Sequence, residues 1–309
     1  MMNTNYHDKS YKELLINGKR FADFLRLFIK KPWVNMIEEG SLVACDKGFV
    51  DPFFEEIESD IIFRGKIKGK DVYFFILLEL QSSIDYTMPF RISYYMAAIR
   101  RRLFKDMPEN ERRRKGFKLP SIVPIVFYNG KDNWLVTENF AEYHHMSELF
   151  GSFDSFNYIL VDVNKLDHEA LLKEATAVAN VVAVDAVRDG NLAEIIVRSG
   201  QTLRRLPDEY DAFKAWVHHT IQYRTGSKIA AQTVIDALEK GDDKMLTTGI
   251  GFMIDEAEAR GEAEGIAKTI VDVAKRLLRS KTPLEVIVEA TNLTEEEIIR
   301  LRDEMAEDK

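Results

Sequence analysis

The apolar positions of the first thirty residues repeat at the spacing of an amphipathic helix. A helix over 9–28 gathers these side chains near one face: Leu14, Leu15, Phe21, Phe24, Leu25 and Phe28. Gly18 weakens the middle of this helix and leaves room for a break or a bend, and Pro32 ends it. A shorter helical piece is predicted within 33–43.

Strand patterns follow in the next part of the chain. Short apolar runs bounded by turn residues predict strands at 59–68, 71–81, 121–128 and 157–163. A helix is predicted at 88–104, and a polar, basic connection at 108–119. Beyond residue 166 the pattern is almost wholly helical. The fold class is therefore predicted to be α/β (α+β), with a largely α-helical C-terminal half.

The first two strands are predicted to form a hairpin. Gly69 and Lys70 suit a two-residue type II′ turn, which prefers glycine at its first central position. In that register the numbers of paired residues sum to 139, so Asp60 lies opposite Glu79. The alternation of side chains then places Gln81 on the same face as Glu79.

Two opposed carboxylates repel each other unless a cation lies between them. Oxygen ligands of this kind favour Mg²⁺ or Mn²⁺ over zinc. Spacing alone leaves other interpretations open: Asp60 and Glu79 could be solvated acids at a sheet end, or could form salt bridges with Arg64 or Arg91.

Composition and charge narrow the class of protein only in part. The chain has 309 residues, 46% of them hydrophobic, and its single cysteine, Cys45, argues for a reducing, cytoplasmic location. No apolar run is long enough to span a membrane, and no glycine-rich phosphate loop indicates a nucleotide cofactor. Residues 1–150 carry 23 Lys and Arg against 21 Asp and Glu, whereas residues 151–309 carry 20 against 30. Bulk charge therefore neither supports nor excludes a DNA partner.

Several short motifs in order resemble a known family, and together they cover roughly residues 6–165. They are His7-Asp8-Lys9, Lys12-Glu13-Leu14-Leu15, Ser59-Asp60-Ile61, Glu79-Leu80-Gln81, Met88 with Arg91 and Tyr95, Pro124, Tyr128-Asn129-Gly130 and Trp134. The chain resembles the Rpn family, also called YhgA-like, of recombination-promoting nucleases and transposase-like proteins in the PD-(D/E)XK nuclease superfamily.

The resemblance implies a restriction-endonuclease-like αβββαβ core that hydrolyses DNA with Mg²⁺ or Mn²⁺. Asp60, Glu79 and the Leu80 carbonyl would hold the ion, and Gln81 stands where the superfamily usually has a lysine that orients water. Glu13 matches a position where relatives often place an additional acid, although a solvated helix charge explains it equally well. The expected function is a metal-dependent DNA endonuclease linked to recombination or transposition. The alternative is a weakly active or inactive DNA-binding or regulatory protein, including one in phage defence.

DNA contacts are expected from cations near the metal site. Arg91 is a candidate phosphate ligand, with a salt bridge at the core edge as the alternative, whereas Tyr95 on the same face is expected to pack. His7 and Lys9 at the start of the first helix are further candidates. Basic clusters that include Arg101 and Arg113 could follow a DNA backbone electrostatically, or could belong to a solvated loop.

The C-terminal residues are predicted to serve assembly or regulation. Two capping boxes, Thr282 with Glu285 and Thr294 with Glu297, imitate a helix-turn-helix, but the second helix opens with three glutamates that would repel phosphate. Because so small a segment cannot easily build a core alone, we expect it to pack on a second copy, giving a homodimer, or on the nuclease domain. The predicted divisions are a nuclease-like domain at 1–165, a helical extension at 166–250 and an assembly segment at 251–309.

Overall fold

The computed structural model describes residues 5–45, 61–80, 84–150, 155–187, 192–250, 271, 273–279, 283–291 and 293–307. Among these residues, no helix has both the length and the apolar character needed to cross a membrane.

The helices are numbered in chain order. They are α1 Asn5–Leu15, α2 Gly18–Phe28, α3 Met88–Asp106, α4 Glu109–Arg112, α5 Ser147–Phe150, α6 His168–Leu171, α7 Ala177–Asp185, α8 Leu192–Leu203, α9 Pro207–Thr225, α10 Lys228–Lys240, α11 Asp243–Met245, α12 Leu284–Thr291 and α13 Glu295–Glu307. Residues 271 and 273–279 are also helical. Single turns of 3₁₀-helix lie at Pro32–Met36, Phe140–Tyr143 and Val163–Lys165, and a π-helical turn at Leu246–Ile250.

Five described strands form one mixed sheet in the order β1-β2-β3-β4-β5. They are β1 Val43–Ala44, β2 Ile61–Ile67, β3 Lys70–Glu79, β4 Ser121–Tyr128 and β5 Ile159–Asp162. β1, β2 and β3 pair antiparallel, whereas β3, β4 and β5 run parallel. The α/β class is thus confirmed, and the order of helices and strands agrees with the implied αβββαβ arrangement.

The predicted break in the first helix is confirmed. α1 ends at Leu15, and the side chain of Asn17 caps α2 by accepting hydrogen bonds from the backbone N–H groups of Lys19 and Arg20. The two helices can therefore change direction and pack separately against the sheet.

The predicted hairpin register is wrong by two residues. The paired numbers of β2 and β3 sum to 137, as in Ile67 with Lys70 and Ile61 with Ile76. Lys68 and Gly69 are the two central turn residues, and both have positive φ, of 53° and 70°. Such a turn is type I′, which places glycine second instead of first. The register from which the opposition of Asp60 and Glu79 was predicted is therefore not the one found between 61–67 and 70–76. Asp60 itself lies outside the described residues.

Two hydrophobic layers cover the sheet. On one face, alternate strand residues such as Phe74 and Phe127 pack with α1, α2 and the helices α7–α10. On the other face, residues such as Phe75 and Val126 pack with α3 and Trp134. The first layer runs continuously across residue 165, so the sheet and the helices after it share one core. The division at 165/166 stays a prediction.

The C-terminal helices contain an apolar cluster of their own. Ala274, Ile287 and Ile298 are buried at its centre, and Leu277, Leu278 and Leu301 are among the partly buried side chains around them. The described helical pieces thus bury part of their apolar surface against one another, whereas the other side chains of the cluster stay partly exposed. The expected packing of this segment on a second copy or on the nuclease domain stays a prediction. Thr294 and Glu297 form the predicted capping box, whereas Thr282 lies outside the described residues.

Candidate active site

The carboxyl ends of three parallel strands meet at one edge of the sheet. Glu79 ends β3, Tyr128 ends β4 and Asp162 ends β5, and the register places these three residues side by side. Strand alternation puts them on the sheet face that carries α3. Glu79 and Asp162 are only 3% and 6% exposed. The edge therefore brings two buried acids to one face, with a tyrosine between them.

An arginine from α3 neutralises Glu79. Arg91 Nη1 lies 3.2 Å from Glu79 Oε2 and 2.8 Å from Asp85 Oδ2, so one guanidinium joins both carboxylates. α3 positions Arg91 because two buried side chains, Ile92 next to it and Tyr95 one turn on, fix the helix against the sheet. A buried carboxylate is costly without a cation or hydrogen-bond donors, and Arg91 supplies both.

Asp85 completes this group from the loop before α3. It accepts hydrogen bonds from the Thr87 backbone N–H (2.8 Å) and hydroxyl (2.6 Å), in addition to the bond from Arg91. Partial burial by itself would raise the pKa of Asp85, but the bonds from Thr87 and Arg91 outweigh it and lower that pKa. Asp85 is therefore an anion at neutral pH and holds Arg91 beside Glu79.

A second polar group lies on the opposite face of the same sheet edge. Asp185, the last residue of α7, is 2% exposed and accepts a 2.8 Å hydrogen bond from the Tyr11 hydroxyl. The side-chain amide of Asn129 also donates to the Asp185 carboxylate. The Asn129 backbone N–H donates to the Glu79 carbonyl at 3.1 Å. Asn129 thereby ties the end of β3 to α1 and α7.

Tyr128 and Gly130 flank Asn129 and fix the turn after β4. The Tyr128 hydroxyl donates to the Asp132 carbonyl at 2.7 Å, and its ring covers Gly130 so closely that a Cβ there would overlap it. Burial raises the pKa of Tyr128, and the nearby charges of Asp132, Asp162 and Glu79 raise it further. Glycine is thus needed at position 130 because the Tyr128 ring occupies the place of a side chain.

The structure describes only some of the residues that were predicted to bind the metal or to act beside it. Asp60 and Gln81 lie outside the described residues, whereas Glu79 and Leu80 stand at the end of β3. The described residues contain no cluster of three or more His, Cys, Asp or Glu side chains able to hold a metal ion. Mg²⁺ needs few protein ligands, because it binds through one or two carboxylates and keeps waters and substrate oxygens. The buried carboxylate of Glu79 and the Leu80 carbonyl are donors of this type.

The surroundings of Glu13 and Tyr95 are compatible with a solvated helix charge and with a packing residue, respectively. Glu13 is exposed, and its carboxylate lies 3.7 Å from His219 Nε2 on α9. Tyr95 is 5% exposed and packs edge-on against Phe75, as predicted.

The candidate DNA ligands differ in their surroundings. Arg91 forms the salt bridge that was the alternative to phosphate binding. Lys9 and Arg101 are exposed, and Arg113 forms an exposed ion pair with Glu109 at 2.6 Å. His7 lies on α1, and its side chain is not described.

A cavity of about 800 Å³ lies at the other edge of the sheet, away from Glu79. It is lined by residues at the amino ends of β3 and β4, including Val72 and Ser121, together with Trp33 and Lys118. The acids at the carboxyl edge and this cavity are therefore separate features.

Sequence reasoning missed Asp85, Asp162 and Asp185. Asp162 lies near the carboxyl end of the predicted strand at 157–163, and an acid at that place is the signal that could have found it. Asp185 is the last residue of α7, which is otherwise apolar except for Asn180, so an acid there is unexpected. Nothing in the local pattern names its partners Tyr11 and Asn129.

Comparison with known proteins defines the family. A family model described as "Putative transposase, YhgA-like" matches residues 5–214. Since this match covers more than half of the chain, the protein belongs to that family.

Relatives in Escherichia coli carry nuclease names. Recombination-promoting nuclease RpnD of strain O157:H7 is 30% identical over 124 residues, which are 40% of this chain and 45% of that protein. Recombination-promoting nuclease RpnA of strain K12 is 24% identical over 301 residues, 94% of this chain and 95% of the relative. A K12 protein named inactive recombination-promoting nuclease-like protein RpnE is 20% identical over 302 residues, 94% and 96% of the two chains. No solved structure matches the chain significantly.

Proposed function

We propose that this protein is a divalent-metal-dependent DNA endonuclease that hydrolyses phosphodiester bonds in recombination or transposition. The observation that carries the proposal is the buried Glu79 carboxylate at the carboxyl end of β3, held among other acids in a family whose relatives are named nucleases. A functional site is expected where a fold keeps a costly buried charge at the end of a parallel strand.

Mg²⁺ or Mn²⁺ would be held by Asp60, Glu79 and the Leu80 carbonyl. When bound, such an ion lowers the pKa of a water ligand and polarises the phosphoryl group. Gln81, two residues after Glu79, has the hydrogen-bonding groups to orient water but brings no positive charge.

Arg91 can serve this chemistry in two ways. It offsets the charge of Glu79 in the free protein, and five guanidinium N–H donors allow it to bind a phosphate oxygen while still bonded to Asp85. Lys9, Arg101 and Arg113 supply further positive charge for the DNA backbone, together with His7 on α1. Their contribution should appear as salt-dependent affinity.

A second candidate function is DNA binding without turnover. It is favoured by Gln81 in place of a cation, and by the near full-length similarity to a relative named inactive. In that case the fold and the basic surfaces are kept, and Glu79 serves only as the partner of Arg91.

Supercoiled plasmid separates the two functions. Purified protein is incubated with plasmid in Mg²⁺, Mn²⁺ or EDTA, beside Asp60→Ala, with nicking followed on a gel. We expect nicking that needs the metal and disappears in Asp60→Ala. Nicking that persists in the variant would refute the assignment, and DNA binding with no nicking in any metal would favour the second function.

A further inference from the structure

The first two turns of helix α3 and the turn before it expose three large aromatic side chains. Tyr86 is 61% exposed, Phe90 58% and Tyr94 51%. The rings of Phe90 and Tyr94 are almost parallel, at 10°, with centroids 6.4 Å apart. We call these three side chains the aromatic face. Large aromatic rings held this far into solvent contribute little to folding, because their apolar area stays in water, and neighbouring exposed rings mark an interaction site.

Positive charge continues from the aromatic face along the same helix. Tyr94 and Arg101 are seven residues apart, about two turns, so they lie on the same side of α3. The last two turns also carry Arg100, Arg102 and Lys105, and the only acid of this helix, Asp106, forms an ion pair with Arg102. A flat apolar surface that leads into a cationic one complements a chain of flat bases joined by phosphates.

The aromatic face begins beside the candidate active site. Phe90 directly precedes Arg91, whose guanidinium contacts Glu79 and Asp85. Tyr86 directly follows Asp85. A strand that lay on this face would therefore pass next to the buried acids.

We propose that the aromatic face stacks the bases of an unpaired DNA strand next to the proposed site of phosphodiester hydrolysis, while Arg101 and its neighbours contact phosphates. The inference rests on the proposed function and names its substrate class. The bases must be unpaired, because in a duplex their flat surfaces are covered by neighbouring base pairs and only their edges are accessible. Exposed rings of this kind bind bases without reading sequence.

The test compares a fluorescent oligothymidylate with an abasic strand of the same length. Binding is measured by anisotropy in EDTA, where the proposed reaction cannot run. We expect Phe90→Ala/Tyr94→Ala to weaken binding of oligothymidylate about tenfold or more. The abasic strand should bind the variant and the wild type equally. The dependence on salt should stay unchanged, because the phosphate contacts remain.

Two control variants test whether weaker binding comes from the loss of the two rings or from any change at the protein surface. Phe90→Tyr/Tyr94→Phe keeps both rings and should bind like the wild type. Ile229→Ala removes an 81% exposed apolar side chain from α10 and should also leave binding unchanged. The mass of each protein is measured by light scattering. A double alanine variant that loses a dimer but binds oligothymidylate normally would overturn the inference, because the face would then be a contact between copies.

The remaining outcomes separate this inference from the proposed function. If the wild type nicks plasmid but the double alanine variant binds both strands as the wild type does, the stacking face is refuted alone. Equal weakening on both strands would also refute it. If base-dependent binding is found without nicking in any metal, the stacking face stands and the nuclease proposal fails.

Discussion

Two polar groups lie on opposite faces of the same sheet edge, and they differ in their access to solvent. On the α3 face, Glu79 is paired with Arg91, whose side chain is 33% exposed. On the α7 face, Asp185 accepts hydrogen bonds from Tyr11 and Asn129, and all three residues are buried. Both groups act on the end of β3, the first through the Glu79 side chain and the second through its backbone carbonyl.

This difference suggests a division of roles. An acid whose cation reaches solvent can exchange that partner for a metal or a phosphate. An acid whose donors are themselves buried, as Tyr11 and Asn129 are, cannot readily exchange them while the protein stays folded. We therefore assign chemistry to the Glu79 group and positioning of the strand end to the Asp185 group.

Glu79→Gln should have the largest effect on activity. The amide keeps the shape of the side chain but loses the charge, so plasmid nicking should fall by about 10³-fold or more. Unfolding by urea should still be cooperative. Glu194→Gln, at an exposed position on α8, is the matched control and should keep full activity. Nicking by Glu79→Gln at the rate of the control would remove Glu79 from the chemistry.

Asp185→Ala should chiefly lower stability. It removes the buried carboxylate that accepts hydrogen bonds from the Tyr11 hydroxyl and the Asn129 amide, at a cost of about 2–4 kcal/mol in the free energy of unfolding. Asp236→Ala, at an exposed position on α10, should change stability little. Urea unfolding curves of the three proteins test this, and equal midpoints would show that the buried network contributes nothing to folding.

Gln81→Ala should lower the nicking rate by about 10²-fold, the increment typical of a group that assists proton transfer or orients water. DNA affinity should change little. The rate is measured at saturating DNA, and binding is measured separately by anisotropy. Unchanged turnover would show that Gln81 has only a structural role.

The smallest effect is expected for Glu209, in the helical layer on the α7 side. Its carboxylate is 4% exposed and accepts bonds from the Ala177 N–H and the Lys19 ammonium, both at 2.9 Å. Burial alone would raise the pKa of Glu209, but the bonds from Ala177 and Lys19 lower it below its ordinary value of 4.5. A lowered pKa in the folded state stabilises the protein above the unfolded pKa, and this contribution is lost as the pH falls below it.

The free energy of unfolding of the wild type should therefore decrease more steeply below pH 4.5 than that of Glu209→Gln. Some acid dependence should remain in the variant, because Asp85 also has a lowered pKa. Parallel curves for the two proteins would contradict the assignment to Glu209.

The sequence predicted the elements far better than the contacts between them. Residues 121–128 form a strand with the predicted bounds, because their apolar run is enclosed by turn residues. The hairpin register failed because Lys68, a residue that rarely takes positive φ, is part of the turn. Glu79 was singled out from the predicted hairpin and from the Glu79-Leu80-Gln81 motif. Asp185 was not, since 56 residues separate it from its partner Asn129 and no local pattern links them.

A Mn²⁺ titration by calorimetry, without DNA, tests the central claim most directly. The claim is that the α3 face of the sheet edge holds a divalent metal through Glu79. Wild type and Glu194→Gln should show a saturable site, and Glu79→Gln should lose it or bind far more weakly, while circular dichroism spectra stay alike. Equal Mn²⁺ binding by Glu79→Gln and the wild type would contradict the account.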